Sequence, residues 1–132
     1  MFSIFMKVLI CGTFDTLHPG HRFVIREAMK KGEVTVIVAC DRNVVRIKGR
    51  RPEQTEQVRQ SVLQNAFPAV TAVLGDPEDF LRPVREIMPD LILLGYDQQL
   101  PPGVTEEDLP CPVERLPSFR AEEFKSSLRR KT

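Results

Sequence analysis

Apolar residues in this chain gather into short, nearly unbroken runs, separated by longer stretches where they recur every three or four positions. The runs are Lys7-Val8-Leu9-Ile10, residues 33–40, residues 70–75, residues 91–95 and a weaker one, Pro112-Val113-Glu114-Arg115-Leu116. Runs this continuous suit strands buried on both faces. Between the first two, Phe23, Val24, Ala28 and Met29 supply the inner face of a helix that opens at Pro19 and stops at Lys31-Gly32. A second helix is expected from Pro52 to about Phe67, with Val58, Val62, Leu63 and Ala66 inward. A third follows Asp76-Pro77, with Phe80, Leu81, Val84 and Ile87 as its stripe and a break or restart at Pro83. Residues 100–110, rich in proline and acids, read as an exposed loop, and a last helix spans about residues 121–130.

Strands alternating with helices specify an α/β fold: a Rossmann-like, doubly wound, parallel five-stranded sheet with helices on both faces. No internal repeat or low-complexity segment interrupts it, so residues 1–132 form one domain. In such sheets ligands bind beyond the carboxyl ends of the strands. The informative places are therefore residues 13–21, 41–48, 95–98 and the region after the fifth strand, where polar residues follow apolar runs.

Composition narrows the class of partner. A net charge of +1 demands neither a nucleic acid nor a membrane surface, and a hydrophobic fraction of 42% is ordinary for a globular chain. Cys11, Cys40 and Cys111 are too scattered for a disulfide framework or a Cys-x-x-Cys metal site. They read as reduced packing residues, with a metal or redox role as the alternative. The apolar start is interrupted at Lys7 and lacks the features of a signal peptide, and Met6 is a second candidate start. The expected location is the cytoplasm.

The chemistry concentrates in Cys11-Gly12-Thr13-Phe14-Asp15-Thr16-Leu17-His18-Pro19-Gly20-His21. A strand ending at a glycine and a helix opening just after it make a physical recipe for holding phosphate, because helix starts carry unpaired N–H groups and partial positive charge. Pro19 suits the first helical position, and Gly20 keeps no side chain between a phosphate and the backbone. His18 and His21, three apart, project from one side of the first turn. Arg46 and Lys48 would bring positive charge to the phosphates. Asp97, at the carboxyl edge of the fourth strand, is placed to accept ribose hydroxyl protons. Chemistry at a phosphate held there would be mostly positioning and charge stabilisation, with little covalent work for the protein. The absence of a Ser–His–Asp set or a carboxylate pair does not count against it.

This stretch resembles the signature of the cytidylyltransferase-like nucleotidyltransferases, Gly-x-Phe-Asp-x-x-His-x-Gly-His, at every fixed position. The resemblance implies that His18 and His21 lie against the triphosphate and, with Lys48, are catalytic. It also implies that Thr13, Phe14, Pro19, Gly20 and Asp97 contact the nucleotide. Arg59 resembles a further phosphate-binding arginine of the family, its alternative being a surface charge near Glu56. The C-terminal match is looser: Arg120 and Ser126 correspond to residues that close over the phosphates, and Phe124 reads as a core aromatic, with stacking on the base as the alternative. A divalent cation, Mg²⁺ or another, would arrive on the nucleotide phosphates rather than in a cage of protein ligands, and no protein metal site is expected.

Within that superfamily the chain is similar to archaeal-type FAD synthases, which transfer AMP from ATP to FMN. The likeness rests on His18-Pro19-Gly20-His21, Val38-Ala39-Cys40-Asp41-Arg42-Asn43, Lys48-Gly49-Arg50-Arg51-Pro52 and Leu94-Gly95-Tyr96-Asp97-Gln98. Cys40 departs from it, standing where an arginine is expected. ATP and FMN are the implied small-molecule partners, and a homodimer is the implied assembly. The alternatives are a cytidylyltransferase for glycerol 3-phosphate or ethanolamine phosphate, another adenylyltransferase with a small acceptor, and a regulatory module that binds nucleotide without turnover. The cytidylyltransferases tend to carry tryptophan in the histidine motif, and this chain has none.

Overall fold

Over residues 6–117, which the computed structural model describes, strands and helices alternate: β1 (Met6–Gly12), α1 (Pro19–Lys31), β2 (Gly32–Val38), α2 (Asp41–Lys48), α3 (Glu56–Ala66), β3 (Thr71–Leu74), α4 (Leu81–Ile87), β4 (Leu91–Leu94) and β5 (Val113–Arg115). All strands are parallel, in the order β3-β2-β1-β4-β5. This is the doubly wound, Rossmann-like sheet the sequence pattern calls for. Its winding reverses between β1 and β4, which makes their carboxyl ends the natural crevice.

The unbroken apolar runs are explained by the period of two along each strand. Val8 and Ile10, with Val34, Val36, Val38, Leu91 and Leu93, pack on one side against Ile25 and Ala28 of α1 and Leu63 of α3. Leu9, Ile37, Ile92 and Leu94 pack on the other side with Val84 of α4. Both faces of the sheet are covered, so its buried positions are apolar, and polar residues such as Lys7, Glu33, Thr71 and Glu114 are left to strand ends and edges.

Several local expectations are corrected. Residues 41–48 form the helix α2, which ends at Gly49 in the left-handed conformation, φ 79°. The next helix begins at Glu56 rather than Pro52, because the Thr55 hydroxyl caps it by accepting the Val58 N–H at 3.3 Å. Its buried residues are Arg59 and Leu63, while Val58 and Ala66 face solvent. In α1 it is Ile25 that turns inward, and Met29 is exposed. Pro83 causes no break, since it occupies the first turn of α4, where backbone N–H groups lack intrahelical partners anyway. The loop at residues 100–110 is largely exposed, as expected, but Leu100 and Leu109, with Cys111 just beyond, pack into the second core cluster around the short 3₁₀ turn Glu106–Asp108. The helix expected at residues 121–130 lies outside the described residues.

Candidate active site

The histidine corner is built by hydrogen bonds between ring and backbone. β1 ends at Gly12, where a Cβ would approach the Phe14 ring to 2.9 Å. Phe14 and Thr16 both hold left-handed backbone, φ 52° and 55°, a strain that functional turns often carry. His18 is the N-cap of α1, its Nδ1 accepting the Gly20 N–H at 3.1 Å. His21, three residues on, returns the bond, its Nδ1 accepting the His18 N–H at 3.3 Å. The two imidazoles stack with centroids 3.6 Å apart, and Phe14 meets His21 edge-on at 5.2 Å. Because each Nδ1 is an acceptor, hydrogen-bond pattern assigns the neutral tautomer with Nε2–H as each ring's remaining donor. Burial pushes the His21 pKa down to about 4, helped by the neighbouring His18 and Lys48 and opposed by Asp15. His21 is therefore neutral at pH 7.

Behind the corner, Asp15 and Arg59 tie three loops together. The Asp15 carboxylate accepts the N–H groups of Glu53 at 2.8 Å and Gln54 at 3.0 Å. Burial pushes its pKa up, but those two donors, backed by the charges of Arg59 and Lys48, outweigh this and hold it below the usual carboxylate value. Arg59 is 0% exposed. Its guanidinium donates to the Thr13 carbonyl at 2.8 Å, the Asp41 carboxylate at 2.6 Å and the Gln54 carbonyl at 3.0 Å. The expected phosphate-binding role of Arg59 is thereby corrected. Every nitrogen is engaged and none reaches the surface, so it acts on the site by holding Thr13, the start of α2 and the loop before α3 in register. A surface charge beside Glu56 it is not.

The cations separate along α2. A cleft of about 270 Å³ opens between the first turn and the end of α2, lined by Thr13, Asp15, Val44, Lys48, Arg50, Arg51, Pro52 and Glu53. Lys48 belongs to it. Arg46 does not: two residues earlier on the helix, it turns the other way and donates to Asn43 Oδ1 at 3.2 Å and the Pro77 carbonyl at 3.3 Å. Arg50 and Arg51, which sequence reasoning treated as part of a basic run, stand in Arg46's place. Phe14 is buried in the core cluster, so its ring seats His21 rather than facing a ligand. Thr13, Pro19 and Gly20 lie on the corner itself. A larger cleft, about 340 Å³, runs down the flank of α1 from Pro19 to Lys30 and leads away from the strand ends.

On the other side of the crevice, Asp97 is exposed on the turn after β4. That turn is clamped from β5, where Arg115 Nη1 donates to the carbonyls of Gly95 at 3.0 Å, Tyr96 at 3.3 Å and Gln98 at 2.5 Å. Arg115 carries no local signal in the sequence, because its partners lie 17 to 20 residues away. Asp15 has a signal, its place inside the histidine motif, but nothing in the motif shows that it binds the loop before α3. Arg120, Phe124 and Ser126 lie outside the described residues. Cys40 is buried and Cys11 and Cys111 half-buried, all as free thiols. Burial pushes the Cys11 thiol up to about 12 and raises Cys111, so neither is a ready nucleophile.

A strand–glycine–helix corner with two capped histidines, set at the switch point of a doubly wound sheet, defines a nucleotidyltransferase-type site, and the cytidylyltransferase-like family model matches residues 9–123. The chain belongs to the cytidylyltransferase-like family. Among its relatives are the FAD synthase of Methanospirillum hungatei JF-1, 42% identical over 92% of this chain and 78% of that protein, and the FAD synthase of Aciduliprofundum boonei, 40% identical over 78% and 69%. Among solved structures, the lipopolysaccharide core biosynthesis protein from Thermoplasma volcanium GSS1 superposes with a TM-score of 0.75 at 30% identity, covering 87% of this chain and 98% of that one. A protein of unknown function from Archaeoglobus fulgidus shares the fold, with a TM-score of 0.65 at 18% identity over 88% and 93% of the two chains.

Proposed function

We propose that the chain transfers the adenylyl group of ATP to FMN, giving FAD and pyrophosphate. The observation that carries the transfer chemistry is the pair of neutral imidazoles locked by the N-terminus of α1. Their relatives' shared name, FAD synthase, supports the choice of substrates. In the reaction an oxygen of the FMN phosphate attacks the α-phosphorus of ATP, and the bond to the β-phosphate oxygen breaks to release pyrophosphate. The attacking oxygen is already ionised near neutral pH, so the protein's task is to orient it and to stabilise charge on the phosphates.

Nε2–H groups of His18 and His21 act as preorganised donors to that charge, with the positive end of α1 beneath them. Lys48, with Arg50 and Arg51, supplies the cations of the adjoining cleft and holds the leaving pyrophosphate. Thr13, Pro19 and Gly20 shape the corner through their backbone, and Asp97 accepts hydroxyl protons of the nucleotide ribose. Among the described residues no group of three His, Cys, Asp or Glu side chains converges on a metal position. A divalent cation held by phosphate oxygens and water would neutralise charge on the leaving group.

The experiment is pyrophosphate release with Mg²⁺ from ATP and from CTP, each offered FMN, glycerol 3-phosphate and ethanolamine phosphate. Release with ATP and FMN alone, with FAD as product, is the expected result. Release with CTP and a small phosphorylated alcohol would overturn the substrate assignment, and no release with any pair would overturn the enzyme.

A further inference from the structure

Strands β1 and β4 part early. β1 pairs with β2 along its whole length, from Met6↔Gly32 to Gly12↔Val38, but with β4 only at Val8↔Leu91 and Leu9↔Ile92. Beyond that point the crevice opens, and one side chain spans it. Gln98 Nε2 donates to the Cys11 carbonyl of β1 at 2.6 Å, while its Oε1 accepts the Gly95 N–H just past β4 at 3.0 Å. A primary amide offers the same donor and acceptor as a peptide group. The Gln98 side chain therefore replaces the missing rung of the ladder.

What it joins are the two halves of the site. Cys11 directly precedes Gly12 and the histidine corner, and Gly95 opens the turn that carries Asp97. We propose that Gln98 is a positioning residue that sets the width of the nucleotide crevice by fixing the Asp97 turn against the end of β1. This rests on the reading above, in which one nucleotide meets both the histidines and Asp97. Other residues cannot do it: asparagine is a methylene short, methionine has no donor, and an ionised glutamate sets its oxygen against the Cys11 carbonyl. Arg115 holds the turn's own shape by gathering its carbonyls, and leaves its distance from β1 to Gln98.

The test compares wild type with Gln98→Met and Gln98→Glu, measuring thermal unfolding and the KM for nucleotide and kcat across pH 5.5 to 8. At the pH of the wild-type optimum both variants are expected to raise the nucleotide KM about tenfold, with a smaller change in kcat, while still unfolding cooperatively. The Gln98→Glu defect should shrink as pH falls, because a protonated carboxyl can again donate to the Cys11 carbonyl and accept from Gly95. The Gln98→Met defect should not. A nucleotide KM within twofold of wild type in both variants would overturn the proposal, as would loss of cooperative unfolding in both, which would make the residue structural only. Failure of the functional reading looks different: the wild type itself would prefer CTP or a small acceptor, and the KM comparison would then be made with that nucleotide.

Discussion

At His21 the hydrogen bond that closes the first turn of α1 also decides which ring nitrogen can serve a phosphate. Burial of the same ring makes it a titrating element of stability. Its pKa in the folded chain, about 4, lies below the 6.5 of an unperturbed histidine, so between these values the unfolded chain binds more protons. Stability from this group is present above pH 6.5 and is lost as pH falls toward 4, by about 1–2 kcal/mol once the solvent screening of a partly exposed ring is discounted. Urea titrations at pH 7 and pH 4.5 should show that decline. His21→Gln, which can keep the reciprocal cap without titrating, should flatten it. Arg59 makes a different prediction. Removing its guanidinium strands the Thr13 and Gln54 carbonyls and leaves Asp41 unpaired, so Arg59→Met should lower folding stability by about 3 kcal/mol, the low end for a broken buried ion pair because Asp41 keeps some solvent. A urea midpoint unchanged by this substitution would return Arg59 to the role of a plain ligand contact. Its structural role was unreadable in the sequence because Thr13 and Asp41 lie 46 and 18 residues away.

Among the elements, those whose signal is burial on two sides were readable, and those whose existence depends on neighbours were not. Strand β4 announces itself because every position is buried, and β1 and β2 do so through their buried central runs, whereas β5, with no buried position, gives the weakest signal. Helix α2 hides: it buries Val44 alone and carries Arg42, Arg46 and Lys48, so it looks like a basic loop. Its ends explain its presence, with Gly49 closing it in a conformation glycine adopts freely and the Asp41 N–H reaching the Glu56 carboxylate at 2.7 Å. Gly32 illustrates a case where the residue type was right and the reason wrong. It closes α1 by donating to the Ala28 carbonyl, but its backbone is extended rather than left-handed, and β2 begins on it. What requires glycine is proximity, since a Cβ there would lie 2.0 Å from the Met6 carbonyl oxygen. Gly32→Ala must push β1 from β2 at their first pair and should cost about 1–3 kcal/mol in a denaturant titration. Gly49→Ala, with open space around it, should cost only about 1 kcal/mol.

For the whole molecule, the order of strands could be anticipated as a class, and with it the edge of the sheet where the site would lie. The histidine corner, Lys48 and the Asp97 turn are brought to that one edge by the topology. Which cations line the cleft was not readable, because Arg46 and Lys48 differ by 2 positions and hence by about half a turn of helix. The uneven pairing of β1 has a further consequence, expressed in time rather than distance. A strand joined to β2 along its whole length and to β4 at two positions gives the molecule two parts of unequal persistence, and the β4–β5 part should open more often than the β1–β2 part. Amide hydrogen exchange should therefore be faster at Leu93 and Leu94 than at Val36 and Val38. A nucleotide spanning both parts would slow the first pair selectively, so the substrate would serve as the clasp that the central strand itself does not provide.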